Sequence, residues 1–379
     1  MRSEQPPSRL EAWLSARFAD GAPRTFGTGW TSGTLSVALG VVGVGAVLVL
    51  RYPGWLSWGE LRPLYQIDLM RTLVAGVIAI SLLLGCVSLV LRRRRTLGTT
   101  GLGLGAFATL LGGGGAVSGD GGASLHLGLD WFLLNVVLLA LLFVPLERAF
   151  PRDSDQRVFR IGWVTDGEHL LVSHLAVQGL TWLALAPGLW AAAAFDDVLP
   201  RVWIAAQPLW LQVAAVMLIA DLTQYWVHRA FHEIRWLWPF HAVHHSSRAL
   251  DWLAGSRLHV VDVVATRALV MVPLLALGFA EPALHAWLAI VAFHAVFNHV
   301  NLRFRLRFIE NVLVTPRFHF WHHAVHPVDR NYAVHFPWLD RLFGTYHLPD
   351  GEWPAHLGIE GDPVPEGWLA QLVHPFRRR

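Results

Sequence analysis

The chain has 379 residues, of which 54% are hydrophobic and 15% are charged, and its formal net charge is +3. Soluble domains are usually about one quarter charged, so this composition excludes an ordinary soluble protein and predicts an integral membrane protein. The small net charge gives no indication of a nucleic-acid partner, and a single cysteine, Cys86, excludes thiolate zinc sites and iron–sulfur clusters built by this chain alone.

Long apolar runs recur along the chain, and a bilayer-spanning helix needs about 20 mostly apolar residues. The first six candidate spans are residues 34–50, 69–91, 97–117, 125–146, 169–194 and 202–225. Two further apolar stretches are 260–280 and 282–300. Because Asp262 and Arg267 interrupt the first of these, we expect either a full span or a shorter re-entrant piece, paired with the second stretch as a hairpin. The sequence therefore predicts an all-α fold, a multi-pass bundle of transmembrane helices.

Eight histidines in the second half of the chain fall into three tight segments. The segments read HxxxH, HxxHH and HxxHH, and their histidines are His228 and His232, then His241, His244 and His245, then His319, His322 and His323. Residues three or four apart on a helix share a face, so the rings of one segment can reach a common centre, while adjacent histidines point apart and can serve neighbouring ions. Imidazole is the commonest protein ligand for transition metals, and one ion takes about four to six ligands. Eight imidazoles therefore predict a centre with two metal ions.

Other residues are candidates for the same centre. His299 and His294 lie in the stretch 282–300 and are possible additional ligands. Carboxylates commonly orient ligating histidines, and four aspartates are available for this role: Asp221, Asp251, Asp262 and Asp329. We expect Asp221, His259 and Asn331 to support the ligands from behind.

The donor set limits the metal but leaves the class of protein open. Neutral nitrogen donors without thiolate suit iron, copper, zinc or nickel, and not calcium or magnesium. A membrane zinc hydrolase is one alternative, although the zinc-protease motif HExxH does not occur in these segments. A non-enzymatic histidine-rich metal-binding or transport protein is another, but it should carry polar residues along a path through several spans, whereas these histidines gather after the apolar runs.

The arginines between the spans predict the orientation, because cytoplasmic loops are enriched in basic residues. Arginines occur at 92–95 and in the loop 147–160, whereas residues 118–124 contain none. Counting spans from these loops places all three histidine segments, and the arginines at 377–379, on the cytoplasmic side. The basic residues are all arginine, which is typical of a GC-rich bacterial genome, so we expect a bacterial inner-membrane protein.

The distribution of histidine predicts the domain organisation. Every histidine lies at position 126 or later. We therefore predict an accessory membrane region of about three spans at 1–125, a catalytic domain at 126–350 and a cytoplasmic tail at 351–379.

The residues in and around the histidine segments resemble the fatty acid hydroxylase superfamily, also called the sterol desaturase family, over roughly residues 130–376. The most specific part is the run from Thr315 to Tyr346. The residues that carry the resemblance are Asp221, His228, Arg229 and His232, then His241, His244 and His245, Arg257–His259, Asn298–Asn301, Thr315–Arg317, His319, His322 and His323, Asn331 and Tyr332, and Trp338–Tyr346.

The resemblance implies a membrane-bound oxidoreductase with two iron ions that uses O2 and external electrons to hydroxylate or desaturate a C–H bond of a lipid. It implies that the eight histidines, and His299, are the iron ligands. An unactivated C–H bond is beyond side-chain acid–base chemistry, so a redox metal is expected on chemical grounds too. The chain shows no dinucleotide-binding glycine fingerprint, and an external electron donor such as a ferredoxin, cytochrome or flavoprotein reductase is therefore expected.

Two features depart from the family pattern. His335 stands where members often have a small residue, and the first three spans have no counterpart in the family core. The lipid substrate, and the choice between an alcohol and an alkene as product, stay open.

Overall fold

The computed structural model describes residues 7–18, 26–92, 95–116, 128–196, 200–305, 307–361 and 363–377. Within these ranges the regular structure is helical, and extended pairing is limited to two isolated bridges, Pro151 with Leu302 and Ala324 with Leu357. The prediction of an all-α fold is confirmed. The α-helices in chain order are α1 (Arg9–Phe18), α2 (Trp30–Arg51), α3 (Pro53–Leu56), α4 (Asp68–Leu91), α5 (Thr96–Leu110), α6 (Leu129–Ala149), α7 (Trp163–Gly179), α8 (Thr181–Ala194), α9 (Arg201–Ala205), α10 (Leu209–Glu233), α11 (Trp238–His245), α12 (Val260–Leu277), α13 (Glu281–Phe297), α14 (Pro316–His322), α15 (Trp338–Phe343) and α16 (Trp368–Val373). Short 3₁₀ helices occupy Gly59–Gln66, Gly113–Gly115, Ala254–Ser256 and His374–Phe376.

Four of the described helices are long and apolar enough to cross a membrane: α2, α4, α6 and α12. The stretch 260–280, which the sequence left open, thus forms one continuous helix with Asp262 in its first turn. Gly278 ends α12 in the left-handed conformation, at φ 71°, which glycine adopts without a Cβ penalty. A turn of three residues then leads into α13, and both helices pack against α10.

Two predicted spans differ from the helices observed. Residues 169–194 do not form one continuous helix, because α7 ends at Gly179, a weak helix former, and α8 begins at Thr181. The span predicted at 202–225 begins later, at Leu209, since Pro208 stands at the start of α10 and cannot donate a helical hydrogen bond. α10 also continues past the predicted end to Glu233 and therefore carries the first histidine segment.

Other sequence expectations concern residues outside the described ranges. The arginine-free loop 118–124 and the boundary at residue 125 lie there, as do parts of the arginine runs at 92–95 and 377–379. The span predicted at 97–117 corresponds to α5, whose 15 residues end at Leu110. Its last predicted residue, 117, is also outside the described ranges.

Contacts within the chain divide it into two compact units, Arg9–Leu139 and Ala140–Arg379, with Met1–Ser8 counted with the second. In the first unit, α2, α4 and α5 pack through small residues. Gly98, Gly101 and Gly105 lie on one face of α5, where a Cβ atom at each would overlap Leu89, Ser36 and Leu82, respectively. Small residues at such positions let helix backbones approach closely. The hydroxyls of Ser36 and Ser81 also each donate to the other's carbonyl at 2.7 Å.

The second unit is built around α10. Val216 and Ala220 of α10 form an apolar core with Val270 and Leu274 of α12 and with Trp287 of α13. Further along α10, Tyr225 joins another buried cluster with Val314, Phe318, Tyr332, Ala333 and Leu339. This packing fixes the end of α10, with its two histidines, against the segments that contain the other histidines.

Candidate metal centre

The three histidine segments converge on two adjoining groups of imidazoles. The first, called the five-histidine group, consists of His228, His232, His241, His245 and His322; the second, called the four-histidine group, consists of His244, His299, His319 and His323. In each group, one ligand-capable atom of every residue lies within 4.8 Å of those of the others. Seven of the nine rings are buried, and His228 and His232 are partly buried. All eight motif histidines and His299 are therefore brought together.

Helical spacing explains how each segment is shared between the groups. In α11, His241 and His245 are four apart and enter the five-histidine group, while His244 enters the other. In α14, His319 and the following His323 enter the four-histidine group, while His322 enters the first. Positions i and i+4 share a helix face and the adjacent position points about 100° away. The HxxHH pattern thus serves two centres at once.

Hydrogen bonds on the outer ring nitrogens orient the five-histidine group. The Nδ1 atoms of His228 and His322 lie 2.7 Å and 2.8 Å from the carbonyl oxygens of Tyr332 and Arg330. His241 Nδ1 lies 2.7 Å from the carboxylate of Asp262. Carbonyl oxygens only accept, and an ionised carboxylate only accepts, so each Nδ1 carries the proton. The Nε2 lone pairs then face inward, and those of His232, His245 and His322 have no hydrogen-bond partner.

In the four-histidine group, His244 and His299 have main-chain partners at Nδ1, whereas the Nδ1 atoms of His319 and His323 have no hydrogen-bond partner. His244 Nδ1 lies 3.1 Å from the carbonyl oxygen of Arg257, and His299 Nδ1 lies 2.7 Å from that of Ala295. His299 Nε2 is 3.3 Å from His244 Nε2 and 3.0 Å from His319 Nε2. His323 Nε2 is 3.1 Å from His319 Nε2. The Nε2 atoms therefore meet at one place.

This donor set fits a transition-metal ion. His228 Nε2 and His241 Nε2 are 3.0 Å apart, yet both rings carry their proton on Nδ1, so two lone pairs face each other without a hydrogen between them. A cation between such nitrogens removes this repulsion. With metal–nitrogen distances of about 2.1 Å, neighbouring ligands of a tetrahedral or octahedral ion are roughly 3.0–3.4 Å apart, which matches the observed spacing.

The electrostatic surroundings favour the neutral form of most of these imidazoles. Burial, followed by the neighbouring imidazoles, holds the pKa values of His244, His245, His319 and His323 well below the ordinary value of 6.5. For His322, burial and His228 have the same effect on the pKa. Neutral imidazole is the form that binds metal, so these rings are ready to act as ligands at neutral pH.

His294 lies outside both groups. Its Nδ1 is 2.6 Å from His335 Nδ1, and its Nε2 donates to the carbonyl oxygen of Val314 at 2.8 Å. His335, whose role the sequence left open, is therefore the partner of His294 in a separate buried pair.

The sequence predicted that Asp221, His259 and Asn331 support the ligands. In the structure, their side chains form hydrogen bonds with other parts of the chain instead. The Asp221 carboxylate accepts the backbone N–H groups of residues 334–336. His259 caps α12 by accepting the N–H of Val261. The Asn331 side chain bonds the main chain of Phe318 and His347. These hydrogen bonds do not reach an imidazole of either group.

Other residues take the supporting role. Of the four available aspartates, Asp262 contacts His241, and Asp329 lies 3.4 Å from His232 Nδ1. The role of Asp262 could be inferred from the sequence, because this carboxylate lies in the first turn of an apolar helix that follows a histidine segment. The sequence gives no such indication for the carbonyl oxygens of Tyr332, Arg330, Arg257 and Ala295, because every residue has a carbonyl oxygen.

Comparison with known proteins agrees with the family resemblance that the sequence indicated. The family model described as fatty acid hydroxylase matches residues 213–345, which contain both histidine groups. An ornithine lipid hydroxylase from Rhizobium tropici is 36% identical over 256 residues, which cover 65% of this chain and 75% of that protein. An alkylglycerol monooxygenase from Danio rerio is 31% identical over 38% of this chain and 31% of its own length. A putative methylsterol monooxygenase from Dictyostelium discoideum is 25% identical over 40% of this chain and 59% of its own length. No solved structure matches the chain.

Proposed function

Because this chain belongs to the fatty acid hydroxylase superfamily, we propose that it is a membrane-embedded, oxygen-dependent lipid hydroxylase whose two histidine groups each hold one iron ion. The observation that carries the proposal is the convergence of nine imidazoles from separate segments on two centres; in the five-histidine group, the Nε2 atoms of His232, His245 and His322 have no hydrogen-bond partner. Four helices long and apolar enough to span a membrane support its location. The arginine distribution supports a cytoplasmic-side centre in a bacterial inner membrane.

The iron ions, when bound, supply the activation of O2 and the cleavage of a C–H bond, which side chains alone cannot perform. The chain's part is to hold the ligands and to keep water away. The main-chain carbonyls and Asp262 fix the proton of each bonded imidazole on Nδ1, so that Nε2 is the donor atom. The buried ring of Tyr332 packs against His228 and His232, with ring centroids 5.7 Å and 5.1 Å away, and covers the five-histidine group.

The relatives support a choice of reaction and substrate. Those named above are a hydroxylase and two monooxygenases, which favours hydroxylation over desaturation. We propose a bilayer lipid with an acyl or alkyl chain as substrate, and an ornithine lipid is the first to test because that relative is covered over 75% of its length. The electrons come from a separate carrier, a ferredoxin, a cytochrome or a flavoprotein reductase.

Metal analysis combined with isotope labelling tests this function. Purified protein should contain about two iron ions per chain, one for each histidine group. Membranes containing the protein, supplied with ornithine lipid, a reducing system and ¹⁸O2, should form a lipid that is heavier by one ¹⁸O atom. Protein that contains zinc alone and releases a hydrolysed lipid would instead support a zinc hydrolase. Tightly bound metal without any change in the lipids would support a metal-binding or transport protein.

A further inference from the structure

A buried network of charged side chains lies behind the four-histidine group, and Arg257 is at its centre. The Arg257 guanidinium, 1% exposed, bonds Asp166 at 2.6 Å, Glu366 at 3.1 Å and the carbonyl oxygen of Gly162 at 3.1 Å. Arg160 bonds the other carboxylate oxygen of Asp166 at 2.6 Å and also bonds Asp251 at 2.7 Å. Three segments far apart in sequence are thus joined by ion pairs away from water.

The network reaches the metal centre through the backbone of residues 255–258. The carbonyl oxygen of Arg257 is the group that accepts the Nδ1 proton of His244. The backbone at Gly255 lies so close to His299 that a Cβ atom there would be 2.8 Å from its Nδ1. This short segment therefore supports two of the four rings, and the Arg257 side chain anchors it from behind.

The same segment is held at a second point. The carbonyl oxygen of Leu258 lies 3.1 Å from His169 Nδ1, and the side-chain oxygen of Gln371 lies 2.8 Å from His169 Nε2. Asp166 and His169 both belong to α7, so this helix fixes the backbone on both sides of the Arg257 carbonyl group.

The five-histidine group has different supports. Its outer nitrogens bond the carbonyl oxygens of Tyr332 and Arg330 and the Asp262 carboxylate. These partners make no hydrogen bond to Arg257, Asp166 or Glu366. The groups that accept the Nδ1 protons are therefore separate for the two groups of histidines, although α11 and α14 contribute to both and Arg257 also donates to the hydroxyl of Ser246, directly after His245, at 3.1 Å.

The network of charged side chains around Arg257 also extends beyond the part of the chain that the family model matches. Arg160, Asp166 and Glu366 lie outside residues 213–345, whereas every histidine of both groups lies inside that range. Part of the structure that holds the ligands thus comes from outside the matched region, although Arg257 itself lies within it.

We propose that Arg257, held by Asp166 and Glu366, is a positioning residue that sets the metal affinity of the four-histidine group without setting that of the five-histidine group. This inference rests on the proposed function, since it assumes that both groups bind metal. Arginine suits the role because its rigid planar fork makes several bonds in fixed directions, which a lysine ammonium cannot reproduce. Buried carboxylates that pair with the guanidinium offset the free-energy cost of burying its positive charge.

Cobalt(II) titration of the metal-free, full-length protein in detergent tests the proposal, followed by visible absorption and by metal counting after gel filtration. The wild type should bind two ions. Arg257→Lys and Asp166→Asn should each keep one site at wild-type affinity and weaken the other by roughly 10–100-fold, the usual effect of removing a partner that orients a ligand. Glu366→Gln removes one ion pair only and should weaken the same site by a smaller factor.

Combined variants identify which site is affected. His322→Ala removes a ligand of the five-histidine group, and adding Arg257→Lys should weaken binding of the remaining ion by the same factor of roughly 10–100. His244→Ala already disables the four-histidine group, so adding Arg257→Lys there should change nothing further. The matched control is Glu310→Gln, which breaks an equally buried pair with Arg317 that makes no bond to an imidazole of either group, and it should bind two ions as the wild type does.

Several outcomes would overturn the proposal. Equal weakening of both sites by Arg257→Lys and Asp166→Asn would mean that the network only stabilises the fold, and unchanged affinities would mean that it does not position the ligands. If those two variants fail to fold, Glu366→Gln decides, because an unchanged second site in that variant contradicts the inference. A wild-type protein that binds no ion would contradict the proposed function itself.

Discussion

Hydrogen bonds at Nδ1 decide what each imidazole of the centre can do. A ring that donates from Nδ1 presents a lone pair at Nε2, so the partners of His228, His241, His244 and His322 select the metal-binding form before any ion arrives. Fixing ring orientation in this way also limits the rotamer entropy lost when an ion binds. The centre is therefore organised for metal by atoms that never touch the metal.

Removal of a single ligand from either group should stop the reaction. We expect His244→Ala and His322→Ala each to abolish product formation while the protein still inserts into the membrane, because each removes one Nε2 donor from a different group. Lipid analysis of membranes containing each variant checks this. His326→Ala is the control, since His326 is 71% exposed and lies outside both groups, and it should retain wild-type activity. Full activity of either ligand variant would contradict the ligand assignment.

Acid should destabilise the metal-free protein. The pKa values of His244, His245, His319, His322 and His323 are lowered in the folded state, so below pH about 6.5 the unfolded chain binds more protons than the folded one. Stability should be fully present above that pH and should fall as the pH decreases, by up to about 1.4 kcal/mol per pH unit for each histidine. Thermal unfolding in detergent from about pH 8 to pH 5 measures this. A midpoint that does not change with pH would show that the rings are not held neutral.

Much of the centre could be predicted at the scale of single residues. The spacing of the eight motif histidines indicated shared helix faces, and the adjacent pairs His244–His245 and His322–His323 indicated two centres; in the structure these histidines lie in two adjoining groups. The partners of Nδ1 could not be predicted in the same way. Most are main-chain carbonyls, whose position depends on tertiary packing and not on the identity of the side chain.

Helix α5 of the first unit packs closely against its neighbours because glycines lie on its contact face. The face of α5 that contains Gly98, Gly101 and Gly105 leaves no room for a Cβ atom, and in a membrane such close packing is a main source of helix association. The same helix offers an open glycine, Gly103, with nothing within 4 Å of a Cβ at that position.

Alanine at these two glycines should have opposite consequences. Gly101→Ala would place a Cβ 2.7 Å from Ser36 Cβ and should destabilise the protein by about 1–3 kcal/mol, the usual cost of overpacking. Gly103→Ala should leave stability unchanged or slightly raise it, because alanine is the better helix former. Thermal unfolding in detergent compares the two variants. Equal stabilities would mean that α5 does not pack as described.

At the scale of elements, the sequence predicted the existence of helices better than their ends. Apolar runs correctly indicated α2, α4, α6 and α12, because a long apolar helix is the dominant way to satisfy backbone groups in lipid. The apolar run at 169–194 did not reveal the helix break at Leu180, because hydropathy is averaged over a window and is insensitive to one non-helical residue. α10 likewise continues through polar residues to Glu233 because tertiary contacts, and not apolarity, fix its last turns.

At the scale of the whole molecule, the side of the membrane that the centre faces stays a prediction from arginine counting. The break between α7 and α8 makes it testable, because these helices together must cross once for the count to hold. Asp155 lies before α7 and is exposed, and Asp196 lies after α8 with a side chain that is 70% exposed.

Cysteine labelling can establish whether this crossing occurs. In a Cys86→Ser background, which removes the single cysteine, Asp155→Cys should react with a membrane-impermeant maleimide only from the cytoplasmic side. Asp196→Cys should react only from the opposite side. Intact cells and inverted vesicles provide the two directions of access. Labelling of both positions from one side would mean that α7 and α8 form a re-entrant hairpin. The orientation predicted from the arginine-containing loops would then be wrong.

Main-chain support for the imidazoles has a consequence for how this enzyme can change over time. A carbonyl oxygen survives any exchange of its own side chain, so residues 295 and 330 can change in identity while still holding His299 and His322. Asp329 lies 3.4 Å from His232 Nδ1, and Asp262, 2.7 Å from His241 Nδ1, ties the orientation of a ligand to one particular functional group. Aligned relatives would then display the histidines and that aspartate as fixed columns, and most of the scaffolding that makes them work would leave no trace in the alignment.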